Sequence, residues 1–413
     1  MLSRSKCTQW TVILALTLTA STATASPATA APVVLAEEAI ASGVQYSTIE
    51  TTTARGVVRG HVIVADLRNP AVDVDLVTAG AVAARAPLSQ QVQRAGAIAG
   101  VNGDFFNISN TQPGVEVTGS ASGPAIEDGR DLKAAVPTRQ RFGPSFPPGA
   151  SIEHVIGVGV DRVGRIARLS LTGKAFGPGG RFDLNGLNQY ALPQNGIGVY
   201  NSDWGTVSRK RATCGSDTNR SAPCTAETFE VTVHHGKVIQ SSVEPGSGPI
   251  PDDAIVLLGR EAGAATLGRL SVGDPVTAHY GLGSVDTHVP FRFAVGGFPV
   301  LDDSAPMAGV EGTVAAVRTG AGFSADGHTL YLYAVDGRSP ATLTLLELAV
   351  LMKDLGAADA VNLDGGGSTT MVTRPDTTVA PVVRNNPSGG VERIIPDGIG
   401  IFSTPAAAGA TGP

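Results

Sequence analysis

The sequence has no excess of basic residues: 30 lysines and arginines stand against 36 aspartates and glutamates in 413 residues, a formal net charge of −6. Binding to a phosphate backbone needs a basic stripe, so the charge balance argues against nucleic acid as a partner. Long apolar runs are also missing. The clearest, Trp10 to Ala20, is about half of the ~20 residues a membrane-spanning helix needs. Three cysteines and seven scattered histidines leave little for a thiolate or imidazole metal centre. Only His234-His235 and Asp286-Thr287-His288 have a near partner in sequence, and both read as structural or surface groups. No G-x-S-x-G elbow and no H-E-x-x-H zinc helix occurs, and there is neither a phosphate-binding P-loop nor a dinucleotide fingerprint.

What is present begins with an export signal. Arg4 and Lys6 precede the apolar run, and small residues suited to cleavage follow it, after Ala25 or Ala30. This layout predicts a signal peptide over 1–30 and a secreted chain without stable membrane insertion. Its loss removes two basic residues and no acid, giving a net charge of about −8. The cysteines then remaining, Cys214 and Cys224, lie in a stretch of loop character, and an oxidising compartment predicts a disulfide between them.

The pattern beyond the signal is β-rich with few helices, an α+β chain. His61–Leu67 and Val72–Val77 read as strands around an Asn69-Pro70 turn. Residues 31–59 read as an N-terminal extension, 60–403 as the main region, and 404–413 as a disordered tail. Glycine, proline and asparagine punctuate roughly 150–290, a spacing that suggests a β-rich subdomain of antiparallel strands. The clearest helix spans Leu343 to Leu355. Thr344 and Glu347 form a capping-box pair, and Leu345, Leu348, Ala349, Met352 and Leu355 share an apolar face before the Gly356 stop. Apolar strands at Leu330–Val335 and Ala360–Leu363 flank it, giving a βαβ-like unit within a mixed sheet. If parallel, these strands bring Asp336-Gly337-Arg338 and Asp364-Gly365-Gly366-Gly367 to one sheet edge, where ligands commonly bind.

Three glycines in a row weaken a strand unless close backbone approach or a positive φ is required. The exposed amides of such a turn can cradle an anion, with the hydroxyls of Ser368 and Thr369 adding hydrogen bonds. A plain tight turn reads the same way. Asn102-Gly103-Asp104-Phe105-Phe106-Asn107 places short polar side chains beside two aromatic rings, which suits a sugar as well as a core. Arg338 ends a strand where a bidentate grip on phosphate is feasible, or where an ordinary Asp-Gly turn is solvated. Arg318, and more weakly Arg393, are further polar interruptions.

Together these strings resemble the phosphodiester glycosidase family, which includes the uncovering enzyme that removes N-acetylglucosamine from a mannose-phosphate diester. The resemblance rests on VNGDFFN (101–107), AVGGFPVL (294–301), VRTGAGFSADG (317–327), YAVDGR (333–338), TLLELAVLMKDLGAADAVNLDGGGSTTMV (344–372) and GGVERIIPDGIGIF (389–402). Gly320 stands where alanine is expected, a departure that leaves Arg318 in place. The resemblance implies a secreted hydrolase of sugar-1-phosphodiesters with Asn102, Asp104, Arg318, Asp336, Arg338, Asn362, Asp364, Gly365, Gly366, Gly367, Ser368 and Thr369 around one pocket. On this reading Asp364, Asp104 and then Asp336 are the catalytic acids, and the arginines and glycine amides hold phosphate. No cofactor is required, although a hard cation such as calcium or magnesium is compatible with the oxygen ligands. The expected partner is a sugar phosphodiester or phosphoglycan. The alternatives are an envelope protein that binds such glycans without turnover, and a general phosphodiesterase.

Overall fold

Alternating runs of β-branched and apolar residues become strands, and the glycine and asparagine breaks become turns. The computed structural model describes residues 31–108 and 112–404. The expected signal peptide, and the expected tail beyond Thr404, lie outside the described residues. Among the described residues no helix is long and apolar enough to cross a membrane.

Eight strands form the central sheet, in the order Val33–Ala41, Val44–Thr53, Gly56–Asp66, Thr329–Val335, Thr319–Phe323, Asp359–Leu363, Phe298–Asp302 and Ala305–Pro306. Each neighbouring pair is antiparallel. Residues 31–59, read from sequence as an extension, therefore supply two whole strands and the start of a third. Val33–Ala41 is mostly exposed at the sheet edge, whereas in Val44–Thr53 Val44 and Tyr46 pack into the inter-sheet core and Ile49 packs on the helix-bearing face.

The uniformly apolar strands of the βαβ-like unit are explained by burial on both faces. Val361, Leu363, Ala321 and Leu332 pack toward Val101, Phe293, Val295 and Ile399 from the opposing layer. Ala360, Tyr333 and Val335 face the other way, onto Leu345, Leu348 and Met352. These last belong to helix Leu345–Asp354, which starts two residues later than the apolar pattern alone suggests. Thr344 adopts an extended conformation and caps it, accepting from the Glu347 amide at 3.1 Å while Glu347 accepts from the Thr344 amide at 2.8 Å. Gly356 then takes φ +110°, ending the helix. The flanking strands do run the same way, but Thr319–Phe323 lies between them, antiparallel to both. Their C-terminal ends still open at one edge.

A five-stranded sheet (Val382–Val383, Met371–Thr373, Ala99–Asn102, Asp397–Ser403, Val72–Thr78) and a seven-stranded one containing Ala125–Glu127, Arg130–Lys133 and Phe291–Gly296 cover the opposite face. The Asn69-Pro70 turn thus carries the chain between sheets. Strands from residues 186–260 make a further five-stranded sheet with its own apolar cluster, including Leu187, Val199, Val231 and Leu257. Beside it, the expected disulfide joins Cys214 to Cys224. The fold is α+β, dominated by strands.

Candidate active site

The Asp359–Leu363 strand delivers the glycine run to the open sheet edge. Leu363 is buried, but Asp364 to Gly367 reach solvent before Ser368 and Thr369 turn back inside. The glycines have separate reasons to be there. A Cβ on Gly365 would stand 2.5 Å from the Val317 carbonyl oxygen, and Gly366 has φ +60°. The amides are less free than an anion cradle requires. That of Gly366 donates to Val317 O at 2.8 Å, and that of Gly365 turns to the Asp364 carboxylate.

Burial raises the Asp364 carboxyl to about 7, against the opposing pull of the Ser368 hydroxyl and the Arg393 charge; Asp104 raises it further. Arg393 donates from Nη1 to Ser368 Oγ at 3.1 Å. Its guanidinium lies over Gly367, in the space a Cβ there would need.

Asn102, at the end of the neighbouring strand, does not face the opening. Its Nδ2 donates to Asp364 O at 2.7 Å, and its Oδ1 accepts from the Thr370 amide at 3.1 Å and Thr319 Oγ1 at 3.0 Å. Its proton so engaged, the Thr319 hydroxyl accepts from Thr369 Oγ1 at 3.0 Å. Asn362 is equally enclosed, donating to Leu363 O at 2.9 Å. These three expected site residues, Asn102, Asn362 and Thr369, fix the backbone on which Asp364 stands.

Asp104 is buried one step deeper. Its carboxylate accepts from the Gly123 amide at 2.5 Å and the Phe105 amide at 2.7 Å, and its own amide donates to Asp397 Oδ1 at 2.9 Å. A Cβ on Gly296 would come within 2.6 Å of Asp104 Oδ2, so the second glycine-containing string makes room for this carboxylate. Lys133 donates to Gly123 O and, at 2.7 Å, to Ala134 O, within electrostatic reach of both Asp104 and Asp397. Burial dominates all three groups. It raises Asp104, raises Asp397 to about 8, and lowers Lys133 to about 8. Two carboxyls, Asp104 and Asp397, thus share one buried ammonium, and each feels the charge of Asp364.

The structure places the remaining expected residues elsewhere. Arg318 is buried, and its guanidinium donates to Leu343 O at 3.1 Å and Val314 O at 2.8 Å, tying down the approach to the helix. Asp336 accepts from Asn386 Nδ2 at 2.9 Å and the Arg338 amide at 2.8 Å, and pairs with His61 Nε2 at 3.1 Å. Burial raises its carboxyl, but these hydrogen bonds outweigh it and hold Asp336 below the ordinary range. His61 in turn meets Tyr46 Oη at 2.7 Å. Arg338 is exposed beside this second cluster. Asn385 and Asn386 connect the two, since Asn385 Nδ2 donates to Thr369 O at 2.8 Å.

Residues 227–402 match the family model described as phosphodiester glycosidase. This segment belongs to the phosphodiester glycosidase family. Two solved structures share the fold, each at TM-score 0.67 and 19% identity. One is a hypothetical protein from Synechocystis, aligned over 88% of this chain and 62% of its own length. The other is a putative exported protein from Burkholderia pseudomallei K96243, aligned over 90% of this chain and 96% of its own. The zebrafish N-acetylglucosamine-1-phosphodiester alpha-N-acetylglucosaminidase catalytic domain, with auto-inhibiting pro-peptide, overlays at TM-score 0.41 and 16% identity over 90% and 88% of the two chains, too loosely to argue from. No curated protein matches.

Within the phosphodiester glycosidase segment the sequence gives Asp397, inside Pro396-Asp397-Gly398, no role of its own, and marks Arg393 only weakly. Lys133 lies ahead of that segment, in Asp131-Leu132-Lys133, which carries no pattern. Arg141, stacked 3.7 Å above the Phe146 ring and close enough to Asp104 to feel its charge, was not singled out either. Among the described residues, the set of three His, Cys, Asp or Glu side chains close enough to share an ion is His234, His235 and Asp253. Asp104, Asp364 and Asp397 are not such a set.

Proposed function

We propose that this chain hydrolyses sugar-1-phosphodiesters outside the cytoplasm, releasing the sugar and a phosphomonoester. The observation that carries the reading is Asp364, a carboxyl raised to about 7 at a solvent-open edge, with Ser368 and Arg393 beside it. A carboxyl near neutrality can exchange a proton during the reaction, whereas an ordinary one stays ionised. The family of the 227–402 segment and the N-terminal signal pattern support the same reading.

In this mechanism a water attacks the anomeric carbon as Asp364 takes its proton. The C1–O bond breaks and its electron pair stays on the phosphate oxygen. A phosphate monoester has its last ionisation near pH ~6, so the leaving group needs no strong general acid. Arg393 and the Ser368 hydroxyl meet the phosphate charge, taking the part first expected of Arg318 and the amides. Asp104, anchored by Gly123 and Lys133, places negative potential behind the developing positive charge at C1. N-acetylglucosamine is the first sugar to try.

The test is hydrolysis of UDP-N-acetylglucosamine and of a p-nitrophenyl phosphodiester of N-acetylglucosamine-1-phosphate in 18O-labelled water. Label in the released sugar is expected. Label in phosphate would replace the glycosidase by a phosphodiesterase, for which bis-p-nitrophenyl phosphate is the control. Binding without turnover would leave a glycan-binding protein.

A further inference from the structure

A pocket of about 280 Å³ opens between the Val72–Thr78 strand, the Leu88–Ala95 helix and the hairpin of Ala125–Glu127 and Arg130–Lys133. Asp364, Arg393 and the glycine run do not line it. Its floor is Lys133 and Asp397, the buried lysine and acid that adjoin Asp104. Its rim carries Arg94, Glu127, Arg130 and Asp203, and Arg130 pairs with Glu127 at 2.8 Å and also with Asp203. Cationic and acidic side chains are thus equal in number, three of each. Such a lining gives no large preference to an anion or a cation. It offers carboxylate and guanidinium edges that hydrogen-bond hydroxyls in either direction. Ala121, Ala125 and Leu132 supply apolar wall between them, suited to the C–H face of a ring.

We propose that this pocket binds one neutral, hydroxyl-rich ring, a monosaccharide unit, against the far side of the Lys133–Asp397 pair. The site is separate from the solvent-open edge at Asp364, and it stands whether or not the chain is a hydrolase. A sugar here touches the same lysine and acid that hold Asp104, so the pocket reads carbohydrate on the side of the cluster away from the phosphate-binding groups.

The experiment measures binding rather than turnover. Glucose and N-acetylglucosamine are titrated by saturation-transfer NMR into the Asp364→Asn protein, with glucose 6-phosphate as the charged comparison. Two surface variants in the same background probe the pocket: Ala95→Trp, which sets an indole in the mouth from an exposed helical position, and Glu127→Ala, which removes a rim acceptor. The expected result is millimolar binding of a neutral sugar, weakened about tenfold or more by each variant, the scale of one charge-assisted hydrogen bond, with no gain for the phosphorylated sugar. Absence of neutral-sugar binding at tens of millimolar overturns the proposal. So does binding that both variants leave unchanged, or that Arg393→Ala abolishes, since that places the sugar at the other mouth.

Discussion

Replacing Lys133 by methionine removes the ammonium shared by the buried carboxyls while keeping most of the stem volume. Lys133 is 2% exposed, and its ammonium donates to two carbonyls, Gly123 O and Ala134 O. Removing one member of a buried ion pair costs about 3–5 kcal/mol, mostly because the remaining charge is left unpaired. Here the remaining charge depends on pH. Asp397 lies at about 8 and Asp104 is also raised, so at pH 5.5 Asp397 is largely protonated and attracts Lys133 little. As pH rises toward 8 the carboxyl ionises while Lys133, itself lowered to about 8, still holds part of its charge, so the attraction that the variant has lost grows over this window. The Lys133→Met deficit should therefore be larger at pH 7.5 than at pH 5.5, approaching but not reaching about 3–5 kcal/mol, with the unpaired carbonyls accounting for most of it at pH 5.5. Guanidinium unfolding followed by tryptophan fluorescence measures this, since Trp204 is fully buried. An equal deficit at both pH values, or a larger one at pH 5.5, would refute the placement of Lys133 between ionisable carboxyls.

Asp364→Asn should lower kcat on a sugar phosphodiester by about 10²–10⁴ without loss of stability, the range for a removed general base. Since burial puts Asp364 at about 7, wild-type kcat/KM should climb as pH rises through 7, and a flat profile there would contradict its role as base. Gly367→Ala drives a Cβ into the Arg393 guanidinium and should raise KM about tenfold, as Arg393→Ala does; wild-type kinetics in both would clear Arg393 of phosphate binding. Thr344→Ala removes the helix cap and should cost about 1 kcal/mol in denaturant unfolding with kcat unchanged. Opening the Cys214–Cys224 loop by double serine substitution should cost about 2–3 kcal/mol, again by denaturant unfolding.

The local devices were legible in the sequence. A capping box depends on residues three apart, and a glycine run marks itself, so the helix at Leu345 and the turn after Asp364 were both readable. Burial on both faces of the strand was equally plain in Ala360–Leu363. The groups that tune the acids were hidden by distance along the chain. Asp397 meets Asp104 across 293 residues, and His61 meets Asp336 across 275. No local spacing encodes such pairs. Arg318 misled for a related reason: Thr319 faces Asn102, so strand alternation turns the preceding arginine to the opposite side. Residues 31–59 read as an extension because the edge strand Val33–Ala41 is exposed along most of its length and the segment joins the rest of the sheet through Thr329–Val335, far along the chain.

The interleaving of distant strands bears on how the chain acquires its structure. In the five-stranded sheet the final strand, Asp397–Ser403, lies between Ala99–Asn102 and Val72–Thr78 and pairs with both. In the central sheet Thr329–Val335 pairs with Gly56–Asp66. Neither sheet can close until nearly the whole chain has emerged, and each closure spans hundreds of residues of loop entropy. The polypeptide should therefore fold slowly and only after synthesis is almost complete, spending its early life as an extended strand-rich chain with unpaired edges. A fragment bounded by residues 227–402 would lack the strands on which its own strands are zipped, and should not fold by itself.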